Sequence, residues 1–165
     1  MIVTSTAPPR SRARLWIGFV SLAVCLTTVL LVTMWPVPVD TGYGASISKL
    51  LGVLHRNGIP EWIGYNKLEF FANIVMFIPL GFLTALLLPA RIWWLALVIC
   101  PAFSICIELT QLAFLPARFA TLSDVLSNSL GAVLGVTVAV SLRLVVDVRD
   151  QKVIARALWG LQQSR

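Results

Sequence analysis

The sequence predicts an all-α polytopic membrane protein: a four-transmembrane-helix bundle with an outer amphipathic helix in its first loop. Three observations carry that prediction. Of the 165 residues, 58% are hydrophobic and only 12% charged, with a mean hydropathy of +0.89; a soluble domain needs more polar residues to cover its surface. The apolar residues also fall into four blocks, each long enough for the roughly 20 residues of helix that cross a bilayer. Finally, the blocks are continuous and lack period-2 alternation, which favours helices over a transmembrane barrel.

The elements follow in order. Residues 1–14 form a basic cytoplasmic N-terminus with Arg10, Arg12 and Arg14, and residues 15–146 form the four-span domain. The first block, 15–35, holds no charge. It is about twice the length of a signal-peptide core (~7–15 residues), and the "WPVPVD" that follows lacks a small-x-small cleavage pattern, so an uncleaved span is expected. The second block is 70–88; the third, 92–115, carries only Glu108; the fourth, 125–146, carries only Arg143. Between them lie a connector (36–69), a turn at Pro89-Ala90-Arg91 and a short loop (116–124). Within the connector Ile47, Leu50, Leu51 and Leu54 follow i, i+3, i+4, i+7 spacing, which predicts a short amphipathic helix on the outer leaflet. Residues 147–165 carry Ile154, Ala157, Leu158 and Leu161 among basic residues and read as a cytoplasmic amphipathic tail on the inner leaflet.

Lysine and arginine set the orientation. With the N-terminus inside, Arg10, Arg12, Arg14, Arg91, Arg143, Arg149, Lys152, Arg156 and Arg165 are cytoplasmic, against Lys49, Arg56, Lys67 and Arg118 outside. The positive-inside rule then places both termini in the cytoplasm of a cell-membrane protein. The net charge of +6 reads as a topology signal and a contact with anionic lipid, and no nucleic-acid partner is expected. Cys25, Cys100 and Cys106 all lie in spans, read as small buried hydrophobes, and offer no disulfide or zinc spacing. His55 is the only histidine and reads as a surface residue. No metal and no cofactor are expected.

With that orientation the polar residues of the spans collect in the outer third of the membrane. Glu108 lies seven residues before the end of span three, about 10 Å below the surface at ~1.5 Å per residue. Ser104 and Gln111 share its helix face. Asn73 lies near the outer end of span two, Asp124 opens span four, Asn128 is one turn deeper, and Arg118 occupies the loop. Polar groups in a bilayer are costly unless they pair or meet water, so these side chains should converge on one hydrated pocket opening outward. Below Asp124, Asn128, Gly131, Gly135 and Ala139 leave a smooth stripe, and Gly131-x-x-x-Gly135 permits close helix approach, more readily inside this bundle than between copies. Pro79 and Pro101 interrupt spans; Pro79 frees the Val75 carbonyl near Asn73, either as a kink or as part of the polar site.

Three segments carry a family resemblance: "NIVMFIPLGF" (73–82), "SICIELTQ" (104–111) and "RFATLSDVLSNSLGAVLG" (118–135). Together and in this order they resemble the VanZ-like family of bacterial integral membrane proteins. The matching positions are Asn73, Pro79, Gly81, Ser104, Glu108, Gln111, Arg118, Asp124, Asn128, Gly131 and Gly135. The resemblance covers roughly residues 67–138 and implies an envelope protein linked to glycopeptide resistance, particularly to lipid-tailed teicoplanin. It implies no particular reaction.

Two functional readings follow. In the favoured one the protein is not an enzyme. Its pocket binds a lipid-linked cell-wall precursor or a lipoglycopeptide from the outer leaflet, with Arg118 on an anionic head group and Asn73, Gln111 and Asn128 hydrogen bonding. In the alternative it is an intramembrane enzyme acting on a lipid-linked precursor, with Glu108 as general acid/base. No Cys-His or Ser-His pairing and no Asp-rich diphosphate site supports the second, so catalytic residues are not assigned. A third reading makes the same residues an interhelical packing network. Membrane lipids are expected partners, and the sequence does not call for an oligomer.

Overall fold

A computed structural model describes residues 12–35, 42–115 and 121–163. The described chain is helical: α1 (Arg12–Thr33), α2 (Gly44–Arg56), α3 (Tyr65–Leu87), α4 (Ala96–Phe114, entered through a 3-10 turn at Trp93–Leu95) and α5 (Leu122–Gln163). Four of these segments are long and apolar enough to cross a membrane: α1, α3, the 3-10 turn with α4, and α5. The fold is therefore an all-α, four-span bundle, with α2 as the additional short helix.

Contacts between named residues give the directions. α3 and α5 run parallel, since Gly131 packs at Ile74 and Phe77 while Gly135 packs at Ile78 and Phe82. α4 runs opposite to both, with Cys100 near Thr84 and Ser104 on Asn128. α1 also opposes α3, because Gly18 lies against Leu87. The spans thus alternate, and α1 begins at the end of the bundle where Arg143 lies.

α3 and α5 form the tightest pair. A Cβ on Gly81 would meet backbone atoms of Ala132; on Gly131, the Ile74 carbonyl; on Gly135, the Ile78 carbonyl and the Phe82 amide. Without side chains at these three positions the backbones touch, which is how small residues drive helix packing where there is no hydrophobic gain against lipid. The Gly-x-x-x-Gly stripe is thus used inside the chain. Around this seam Val29, Phe77, Leu80, Cys100, Ile107 and Ala132 make one core cluster. Ala85, Ala96, Val136 and Ala139 make the second, toward the Arg143 end.

Several boundaries differ from the sequence reading. α3 starts at Tyr65, five residues before the apolar block, because the intervening polar residues tolerate helix; hydropathy locates the crossing and not the helix ends. It stops at Leu88, held extended by the following Pro89. Residues 147–163 do not form a separate tail. α5 runs unbroken for 42 residues, about 63 Å at ~1.5 Å per residue, against a hydrocarbon core of about 30 Å. Nothing between Val146 and Trp159 is a glycine or proline, so no residue there stops the helix. Every side chain from 144 to 156 is exposed.

Pro79 is exposed and Val75 with it, while Asn73 turns inward. The carbonyl that Pro79 frees therefore belongs to the lipid-facing side of α3, away from Asn73, and of the two readings of this proline the kink fits its position. Of the cysteines only Cys100 is buried; Cys25 is intermediate and Cys106 is exposed. His55 is half-buried, and its Nε2 lies 3.0 Å from the Ile63 carbonyl, tying α2 to the loop that leads into α3.

Candidate functional site

α4 presents one inward stripe: Ala96, Cys100, Ser104, Ile107, Glu108 and Gln111 are its buried residues. Their three- and four-residue spacing puts all six on one face. Toward the Phe114 end this stripe becomes polar and meets the start of α5, where Ser127 and Asn128 are buried. Because α4 and α5 are antiparallel neighbours, the polar residues pair as rungs of a ladder.

The deeper rung joins Asn128 Nδ2, donating, to Ser104 Oγ at 2.9 Å. Asn128 is only 2% exposed, and its Oδ1 is buried with no hydrogen-bond partner. One turn outward lies the second rung. Glu108, 8% exposed, accepts the backbone N–H of Thr121 through Oε2 at 2.9 Å. Thr121 Oγ1 in turn donates to Asp124 Oδ2 at 2.8 Å and accepts the Asp124 N–H at 3.1 Å. Asn73 reaches across from α3 to donate to Asp124 Oδ1 at 2.9 Å. Both carboxylates thus bond to one threonine, at the positive end of the α5 dipole.

Gln111 goes elsewhere. Its Nε2 donates to the carbonyl of Thr33 at 2.8 Å, satisfying one of the orphan carbonyls at the end of α1. The structure therefore brings Asn73, Ser104, Glu108, Asp124 and Asn128 together, and sends Gln111 from the same face to α1. Arg118 lies outside the described residues.

Three contributors were missed in the sequence. Thr121 is the cap of α5 and the link between the carboxylates; "TLSD" (121–124) has the Ser/Thr-x-x-acid spacing of a capping box, so the signal was there. The box is modified, since Glu108 of α4 takes the cap's own backbone N–H. Thr33 had no signal, because it contributes a carbonyl and its hydroxyl bonds back to Val29. Arg143, read only as a charge near a span end, donates from Nη2 to the carbonyls of Leu86 and Leu88 at 2.7 and 2.8 Å. It closes the C-terminus of α3, where a cation is favoured by the helix dipole.

Chemically the assembly is rich in acceptors. Two carboxylates and an amide oxygen occupy two turns between α4 and α5, near the end of a membrane bundle. A family model described as VanZ/LLP1 matches residues 18–144, most of the chain and all four helices of the bundle. The chain belongs to the VanZ/LLP1 family. No curated protein and no solved structure matches it. The polar ladder and the glycine seam of this VanZ/LLP1 protein both lie inside the matched region, whereas the α5 overhang beyond 144 lies outside it.

Proposed function

We propose that this VanZ/LLP1 protein is a cell-envelope protein of the cell membrane that binds a lipid-linked or lipid-tailed ligand at the ladder. Both termini are cytoplasmic in this reading and the ladder lies near the outer leaflet. The lysine and arginine distribution supports that orientation. The observation that carries the reading is the gathering of Asn73, Ser104, Glu108, Asp124 and Asn128, from three spans, at one end of the bundle. At that depth a lipid presents its head group to polar side chains while its chains stay in hydrocarbon. Arg118, which falls between α4 and α5 in the sequence, supplies a cation for an anionic head in this reading. Lipid-linked cell-wall precursors and lipoglycopeptides both have this form, which connects the site with glycopeptide (teicoplanin) resistance.

A second reading has its own support: each hydrogen bond of the ladder described above joins two protein groups, so the same residues also serve as interhelical packing. Such bonds average only about 0.6 kcal/mol in a membrane.

Lipid analysis of the purified protein separates the two. Ligand binding predicts a co-purifying lipid-linked molecule that the Arg118→Ala variant loses while remaining folded. Recovery of the same bulk lipids from both proteins, with no enriched species, overturns binding and leaves packing. Glu108→Gln keeps the Thr121 bond through its amide oxygen and removes the charge; unchanged ligand retention in that variant excludes an ionic role for Glu108.

A further inference from the structure

Resting on the binding reading above, we infer that the ligand head group carries an N–H-bearing ammonium, which the site takes between Asp124 and Asn128. The two residues are one turn apart on α5, a spacing that brings side chains within about 5–6 Å at Cβ. Asn128 is 2% exposed, and its Oδ1 has no partner although its Nδ2 is bonded to Ser104. A buried acceptor left unmet costs about 1–3 kcal/mol, so a donor that reaches Asn128 Oδ1 is favoured.

Asp124 adds the sign of the charge. Among the described residues the partners of its carboxylate are neutral donors, the Asn73 amide at 2.9 Å and the Thr121 hydroxyl at 2.8 Å. A carboxylate has about four acceptor positions, so two neutral bonds leave room for a third donor. A donor that also carries positive charge satisfies both residues at once. Charge-assisted N–H···O bonds of about 2.7–2.9 Å make a primary ammonium the fitting group, and a quaternary ammonium, with no N–H, does not fit.

The ammonium could belong to an aminolipid of the bilayer or to an amine-bearing lipid-linked molecule, and the test separates these. The full-length protein in detergent is given phosphatidylethanolamine, phosphatidylcholine or phosphatidylglycerol with identical acyl chains, and bound lipid is counted by native mass spectrometry. Phosphatidylethanolamine should be retained about tenfold over phosphatidylcholine, the worth of one charge-assisted bond. Asp124→Asn should bring that ratio to near unity. Methylammonium chloride should displace the lipid where tetramethylammonium chloride does not, if the ammonium alone is recognised; retention without displacement assigns recognition to the aminolipid as a whole.

The wild-type ratio needs no variant, so a failure of Asp124→Asn to fold leaves the test intact. Equal retention of the two zwitterionic lipids with no effect of methylammonium overturns the inference, as does preference for phosphatidylglycerol. An Arg118-dependent ligand that lacks an N–H amine overturns the ammonium site and leaves the binding reading standing. Phosphatidylethanolamine selectivity without any Arg118-dependent ligand keeps the ammonium site and removes the Arg118 contact from the binding reading.

Discussion

Thr121 shows how much one side chain can carry here. Its backbone N–H serves Glu108, and its hydroxyl both accepts from the Asp124 N–H and donates to the Asp124 carboxylate. Thr121→Val keeps the first bond and removes the other two. Loss of a helix N-cap costs about 1 kcal/mol, so thermal unfolding in detergent should shift down for Thr121→Val and recover in Thr121→Ser. An unchanged midpoint for the valine variant would mean that the cap adds nothing to stability. Glu108 and Asp124 were legible in the sequence because a carboxylate among apolar residues is conspicuous. Thr121 was not singled out, although its spacing to Asp124 is a capping signal, because a threonine in a loop draws no notice until Glu108 is seen to reach it.

At the scale of elements, the α3–α5 pair depends on three glycines whose missing Cβ atoms leave room for a neighbouring backbone. Backbone cannot move aside as a side-chain tip can. Gly135→Ala should therefore separate the helices locally and destabilise the bundle by about 1–3 kcal/mol, the usual cost of overpacking. Gly52→Ala, in α2, is the control: nothing lies within 4 Å of its added Cβ, and alanine is the better helix former by up to about 1 kcal/mol. Melting midpoints should fall for the first and hold or rise for the second; equal behaviour would remove the close approach from the account. Glycine spacing showed in the sequence that some helix comes near. It could not show which helix, because the same stripe fits a neighbour in the chain or a second copy.

For the whole molecule, the alternation of spans puts the start of α1 and the overhang of α5 at one end, with the polar ladder toward the other. Orientation in the membrane is then a single choice, and the basic residues favour the overhang inside. Cysteine labelling tests it, with Cys25, Cys100 and Cys106 replaced by serine. Ser46→Cys, in α2, should react with an impermeant maleimide in intact cells. Gln162→Cys, near the end of α5, should react only after permeabilisation. The opposite pattern would place the ladder at the cytoplasmic face and remove the outer-leaflet ligand. The four crossings were readable because a bilayer demands long continuous apolar helices. The length of α5 was not, because a helix can continue into water wherever no glycine or proline stops it.

Sequence alone determined that the chain crosses a membrane four times as helices, and that its rare polar residues lie near one end of the spans. Apolar length and the cost of a stray carboxylate in hydrocarbon suffice for both. Only the tertiary structure decided the pairings: Asn73 with Asp124, Ser104 with Asn128, Glu108 with the Thr121 amide, and Gln111 with the end of α1. Those choices depend on which faces the glycine seam turns toward each other, and contacts between residues far apart in sequence leave no mark on local composition.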